Sequence, residues 1–194
     1  MMSTTNSSAA PSGAMIEARL IRPTEAEDLG AIAEIYAHHV LHGAASFELE
    51  PPSAEEMTRR WRAIVDAGYP HLVCWAQDAV AGYAYASAYR PRPAYRGTVE
   101  DSVYVRAGRE GEGHGRALLE RLIQACERRG FRQMVAVIGD SAPASVALHR
   151  RLGFRDVGVL RAVGRKFDRW IDTALMQRAL GIGDQAPPDP RKPA

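Results

Sequence analysis

Three glycines at alternate positions, Gly111, Gly113 and Gly115, lie between a strand-like stretch, Val103-Tyr104-Val105, and a helical run that opens at Arg116. Glu110, Glu112 and His114 interleave with them. Glycines there leave the backbone bare just where a helix begins, and a helix start carries unpaired N–H groups and the positive end of a dipole. Such a cradle can take a phosphate or pyrophosphate against backbone amides. Two titratable residues flank it in the chain. Glu100, on the strand leading to the loop, can accept a proton. His149, on a short helix beyond, titrates near neutrality and can give or take one. Ser145 lies four residues before His149, on the same helical face. Arg90 and Arg92, in a loop stiffened by prolines, can grip an oxyanion with paired hydrogen bonds. Asp101 adjoins Glu100 but alternation turns it to the other face of the strand, which makes it the weaker candidate for a base.

The elements that must position these residues follow from periodicity. Glu17 to Arg22 reads as a strand, and Thr24-Glu25-Ala26-Glu27 offers a capping box for a helix carrying Leu29, Ile32, Ala33, Tyr36 and Val40. Ser53-Ala54-Glu55-Glu56 offers a second, ahead of Met57, Trp61, Ile64 and Val65. His71 to Ala76 and Val80 to Tyr89 form an antiparallel pair, Val99 to Val105 another strand, and the helix after the glycine loop ends at Gly130. Phe131 to Ile138 reads as a strand buried on both faces, Ala144 to Leu152 as a short helix, and Asp156 to Val163 with Trp170 to Gln177 as a closing pair. The order β-α-α-β-β-β-α-β-α-β-β predicts an α/β domain on a mixed, mostly antiparallel sheet.

That order separates the possible readings of the glycines. The spacing alone also fits a plain strand-to-helix turn. No Gly-Lys-Ser/Thr follows, which excludes a P-loop. The loop comes after several antiparallel strands, without the regular βαβ alternation of a dinucleotide-binding fold.

Composition bounds the rest. The 194 residues are 46% hydrophobic and 25% charged with a net charge of +2, which suits one soluble domain with tails. Residues 1–14 and 181–194 are expected to be disordered tails, leaving a domain over 15–180. Lys and Arg are scattered among Asp and Glu, so neither a nucleic-acid stripe nor a membrane-surface helix is expected. No signal peptide or membrane span is expected, and Cys74 and Cys126 lack metal-type spacing, so a reducing, cytoplasmic location is expected. His38, His39 and His42 crowd the end of the first helix, where a cation suits the dipole. They and His71 lack the spacing of a metal site, and no metal is expected.

Four blocks carry a family resemblance: the glycine loop with Val99 to Val105 before it, Val135-Ala136-Val137-Ile138-Gly139, Ser145 to Phe154, and Gly158 to Asp172 with its Arg161, Gly164, Lys166, Trp170 and Asp172. Together they resemble the GCN5-related N-acetyltransferase superfamily over roughly 16–180, and within it the phosphinothricin and methionine sulfoximine N-acetyltransferase group. The resemblance implies acetyl-CoA as co-substrate, bound by Val103, Tyr104 and Val105, by the loop Glu110-Gly111-Glu112-Gly113-His114-Gly115 with Arg116, and by Ser145. It implies Val105 N–H as oxyanion donor, Glu100 as general base and His149 as partner to the leaving thiolate. Phe47, Arg90, Arg92 and Tyr95 are implied on the substrate side, with a small amine as acceptor and a homodimer as assembly. Lys166 and Trp170 are implied as framework at the dimer seam or pocket rim. Glu110 departs from the family's Gln or Arg, and a carboxylate beside a pyrophosphate is unfavourable; Arg106, Arg109 and Arg116 are expected to offset it. A family asparagine is replaced by Ala142 or Pro143. With Cys126 beyond the loop, no nucleophile suits an acyl-enzyme, and direct attack by the amine is expected. The alternatives are another acceptor (a polyamine, an antibiotic, a protein N-terminus) or a catalytically weak acyl-CoA-binding module.

Overall fold

The elements follow one another in the order the periodicity predicts. In the computed structural model, which describes residues 19–187, β1 (Arg19–Pro23) leads to α1 (Leu29–His42) and α2 (Ala54–Asp66), then β2 (His71–Ala76), β3 (Ala79–Ala88) and β4 (Thr98–Val105). After these come α3 (His114–Arg129), β5 (Gln133–Gly139), α4 (Pro143–Arg151), β6 (Arg155–Lys166) and β7 (Arg169–Ala179). Among the described residues the strands make one seven-stranded sheet, β1-β2-β3-β4-β5-β7-β6. Every neighbouring pair is antiparallel except β4 and β5, which run parallel and pair only over Thr98–Asp101 against Gln133–Ala136.

Two apolar layers fix the sheet between its helices. On one face α1 and α2 lay Ile32, Ile35, Tyr36, Val40 and Met57 against Val73, Tyr83 and Tyr104. On the other, α3 buries Leu118, Leu119, Leu122 and Ile123 against Val99, Met134, Ala136 and Met176. Each such leucine contributes roughly 1.5–3 kcal/mol by leaving water. The two layers assign every strand residue to a face, since side chains alternate.

Local chemistry sets the ends. Ser53 Oγ accepts from Glu56 N–H at 3.2 Å and starts α2 as expected. The first capping box is shifted by one residue: Glu25 and Asp28 form it, not Thr24 and Glu27. Thr24 is diverted because its hydroxyl pairs with His71 Nδ1 at 2.8 Å. β5 begins at Gln133 and, contrary to expectation, is not buried on both faces. Met134, Ala136 and Ile138 are buried while Val137 is 40% exposed, because β4 diverges and uncovers that side. The region expected as tail from residue 181 carries a 3₁₀ turn, Gly183–Gln185, with Gly183 buried. Residues 188–194, and the tail expected over 1–14, lie outside the described residues. Among the described residues no helix is long and apolar enough to cross a membrane.

Candidate active site

The divergence of β4 from β5 creates the site. Arg106 N–H donates to Ala81 O and Tyr89 N–H to Thr98 O. Bonded and non-bonded pairs alternate along an antiparallel ladder. The even-numbered residues of β4 therefore bond to β3, and the peptide groups of Asp101, Val103 and Val105 point toward β5. Past Asp101 and Ala136 no partner strand among the described residues meets them. A cavity of about 280 Å³ fills the opening and is lined from both sides of the sheet.

On the α1/α2 face the lining is Ala44, Ala45, Phe47, Tyr85, Glu100, Ser102, Tyr104, Val137, Gly139 and Thr173; on the α3/α4 face it is Asp101, Val103, Ala136, Ile138, Ala142, Ser145 and His149. Glu100 and His149 thus flank one opening from opposite faces. The wall carrying Phe47 is clamped by the far end of the sheet. Lys166 Nζ, buried, donates to Gly43 O at 2.9 Å and to Ser46 O at 2.8 Å. A Cβ on Gly139 would stand 2.0 Å from Ala44 O, and one on Gly164 would stand 3.0 Å from the Phe47 ring. Lys166 is therefore framework, as expected. Trp170 lies 66% exposed on β7.

Glu100 is half-buried, and burial pushes its carboxyl above the ordinary value; Asp101 adds to the rise and Arg90 opposes it. Asp101, the candidate set aside for pointing to the other face, does point there, and that face holds His149. His149 Nε2 lies 3.0 Å from Asp101 Oδ2, with both residues buried. Its Nδ1 donates to Ser145 O at 2.7 Å, and Ser145 Oγ lies 3.4 Å from the same nitrogen. Burial alone would lower the imidazole's pKa, but Asp101 and the Ser145 carbonyl outweigh it and hold it above its ordinary value. With both ring nitrogens aimed at acceptors, the imidazolium is the favoured form.

The glycine loop is built as a cradle. Gly113, at φ 84°, turns the chain into α3 in a conformation that side chains resist. As the first residues of α3, His114, Gly115 and Arg116 present N–H groups with no partner one turn back. Cβ atoms at Gly108 and Gly111 would meet nothing within 4 Å. Arg19 pulls the opposite side back, donating to Glu112 O at 2.8 Å and Gly113 O at 3.2 Å. Glu112 is paired with Arg109, whose Nε lies 2.8 Å from Oε2, and His114 Nε2 lies at the same distance from that oxygen. These residues fit a pyrophosphate. Arg106 does not offset Glu110 as expected; it bonds Val80 O and pairs with Glu34.

Other expectations fare differently. Arg90, Arg92 and Tyr95 line a separate hollow with Pro91, and none of them lines the central cavity. The Arg90 guanidinium instead lies over Tyr89, 4.5 Å from its ring centre. His39 is not a cation for the helix dipole. Burial lowers its pKa, and Nε2 lies 2.8 Å from Val105 O, so the neutral ring donates to the carbonyl exposed by the split. Thr173 had no signal in the sequence.

A sheet opened between its fourth and fifth strands, with an amide cradle at the next helix start, is the architecture of the GNAT acetyltransferases. Residues 21–175 match the acetyltransferase (GNAT) domain family, and the chain belongs to it. It is 51% identical over 170 residues to a phosphinothricin N-acetyltransferase of Alcaligenes faecalis, covering 87% of this chain and 86% of that one. It is 40% identical over 169 residues to an L-methionine sulfoximine/L-methionine sulfone acetyltransferase of Salmonella typhimurium, covering 87% and 98%. A Sinorhizobium meliloti phosphinothricin acetyltransferase solved with AcCoA superposes with TM-score 0.88 at 48% identity, covering 90% of this chain and 95% of that one.

Proposed function

We propose that this enzyme acetylates the primary amine of a small amino acid or analogue, of the phosphinothricin or methionine sulfoximine kind, by direct attack on acetyl-CoA. The observation that carries the reading is the opening through the sheet, with a raised carboxyl on one face and a carboxylate-held imidazolium on the other. The amide cradle at α3 and Ser145 would hold acetyl-CoA, which supplies the acetyl group as a thioester. Glu100 takes the proton that the ammonium must lose. The N–H groups of Val103 and Val105, aimed into the gap, offer donors to the carbonyl oxygen under attack. His149, kept charged by Asp101, faces the sulfur side and favours departure of the thiolate. Phe47 walls the amine's side.

A reduced, cytoplasmic protein is supported by the free, buried Cys74 and Cys126. A homodimer is supported by β6, a long edge strand exposing Val157, Val159, Leu160 and Val163. Thiol release from acetyl-CoA with a panel of amino acids, polyamines and peptides tests the reading. Turnover on amino acids with intersecting initial-rate patterns is expected. Turnover confined to polyamines or peptides would reassign the acceptor, ping-pong patterns would remove direct attack, and CoA binding without turnover would favour a binding module.

A further inference from the structure

Thr173 is a buried hydroxyl with no use in the fold. Its residue is 2% exposed, and Oγ1 has no hydrogen-bond partner among the described residues. Leaving a hydroxyl dry and unpaired is unfavourable, and valine of the same shape would avoid it. Thr173 pairs across the sheet with Gly139, so its side chain stands on the α1/α2 face, on the wall of the central cavity. That is the face of Glu100 and Phe47, where the proposed function puts the amine, and this inference rests on that reading.

An anionic acceptor needs donors there. The ionisable side chains lining the cavity are two carboxylates, Glu100 and Asp101, and His149, which is spent on Asp101 across the sheet, apart from the tyrosines. The arginines expected to hold the acceptor, Arg90 and Arg92, lie in the separate hollow. Of the hydroxyls on that face, Ser102 is bonded to Tyr85. Thr173 stands across the gap from Tyr104: Gly139 lies four residues past Val135, which pairs with Glu100, just as Tyr104 lies four past Glu100. The molecule attacked and the molecule attacking must meet at that level, beside the Val103 and Val105 amides.

We propose that the Thr173 hydroxyl donates a hydrogen bond to an oxygen of the acceptor, either its carboxylate or the oxygen of a side-chain phosphinyl or sulfoximine group. It is an acceptor-binding and specificity-determining residue. The test is Thr173→Val, with Thr173→Ser as the conservative control and Thr173→Ala should valine fail to fold. The expected result is a rise in acceptor KM of roughly 10- to 100-fold, with the KM for acetyl-CoA unchanged, Tm level or higher, and Ser restoring affinity. Two analogues identify the oxygen. If it is the carboxylate, the valine penalty vanishes on the decarboxylated amine, which has no oxygen there; if it is the side-chain oxygen, it vanishes on methionine. An unchanged acceptor KM in a wild-type-like background overturns the assignment, as does an undiminished penalty on both analogues. A wild-type enzyme that acetylates no amino acid overturns the functional reading instead.

Discussion

Glu100 and Asp101 are adjacent in the chain and work on opposite faces of the sheet, one toward Phe47 and the other bonded to His149. Their peptide sits on the last rungs joining β4 to β5. One step of strand alternation therefore divides proton removal from charge stabilisation.

Glu100→Gln is expected to separate activity from stability. Loss of the base lowers kcat by about 10²- to 10⁴-fold. Burial raises the Glu100 carboxyl above 4.5, so the folded chain keeps a proton that the unfolded chain has lost. Stability then falls as pH rises through that window, and glutamine removes the loss. Thermal unfolding at neutral pH is expected to show Tm unchanged or higher, and the acid limb of the kcat/KM profile disappears.

Asp101→Asn takes away the group that keeps His149 charged. A raised imidazole pKa stabilises the fold below 6.5, and that contribution is lost as pH climbs through the folded value. In the variant only the Ser145 carbonyl still opposes burial, and the His149 titration followed by NMR moves down toward 6.5. Below that pH, stability drops by roughly 1–3 kcal/mol, and kcat falls.

Glu110 and Glu112 are expected to respond oppositely to the same change. Glu110→Gln removes an exposed charge beside the cradle and lowers the KM for acetyl-CoA by roughly threefold, more at low salt. Glu112→Gln releases Arg109 and His114 from their shared partner and raises that KM. A Glu110 variant with unaltered KM would mean that this carboxylate never meets the phosphates.

Gly139→Ala drives a methyl into Ala44 O and forces the Phe47 wall outward. A stability loss of about 2–3 kcal/mol is expected, with the KM of the amine rising. CoA binding, read by calorimetry, is retained because the cradle lies on the other face.

His71 makes the protein acid-sensitive. Buried under α1 and α2 and stacked on Tyr83 and Tyr85, its pKa is pushed down from 6.5 to about 4. The unfolded chain takes up the proton first, so stability present above pH 6.5 is lost as pH falls toward 4. The loss amounts to about 3 kcal/mol, and His71→Phe is expected to flatten that slope in denaturant titrations.

Much of this arrangement was legible from local pattern. Glu100, His149 and the cradle sit where pattern predicts them, because each is tied to an element whose period is strong; Phe47, implied only by the resemblance, lines the cavity from the loop between α1 and α2. Alternation also turned Asp101 correctly away from Glu100, but a period says nothing of which helix waits on the far side. Arg90 and Arg92 show the converse: nearness in sequence to β4 did not bring them into its cavity. His39 and Thr173 depend on contacts between α1 and β4, or between β7 and β5. Such tertiary pairings leave no trace in a single chain.

The strands β4 and β5 pair at one end and part at the other, so the opening is a wedge cut through the sheet that is reached from both faces. The two reactants need no common doorway, and an acetylated product can leave while CoA stays seated. A bisubstrate inhibitor joining both halves would have to span the wedge, with one half on each face of the sheet.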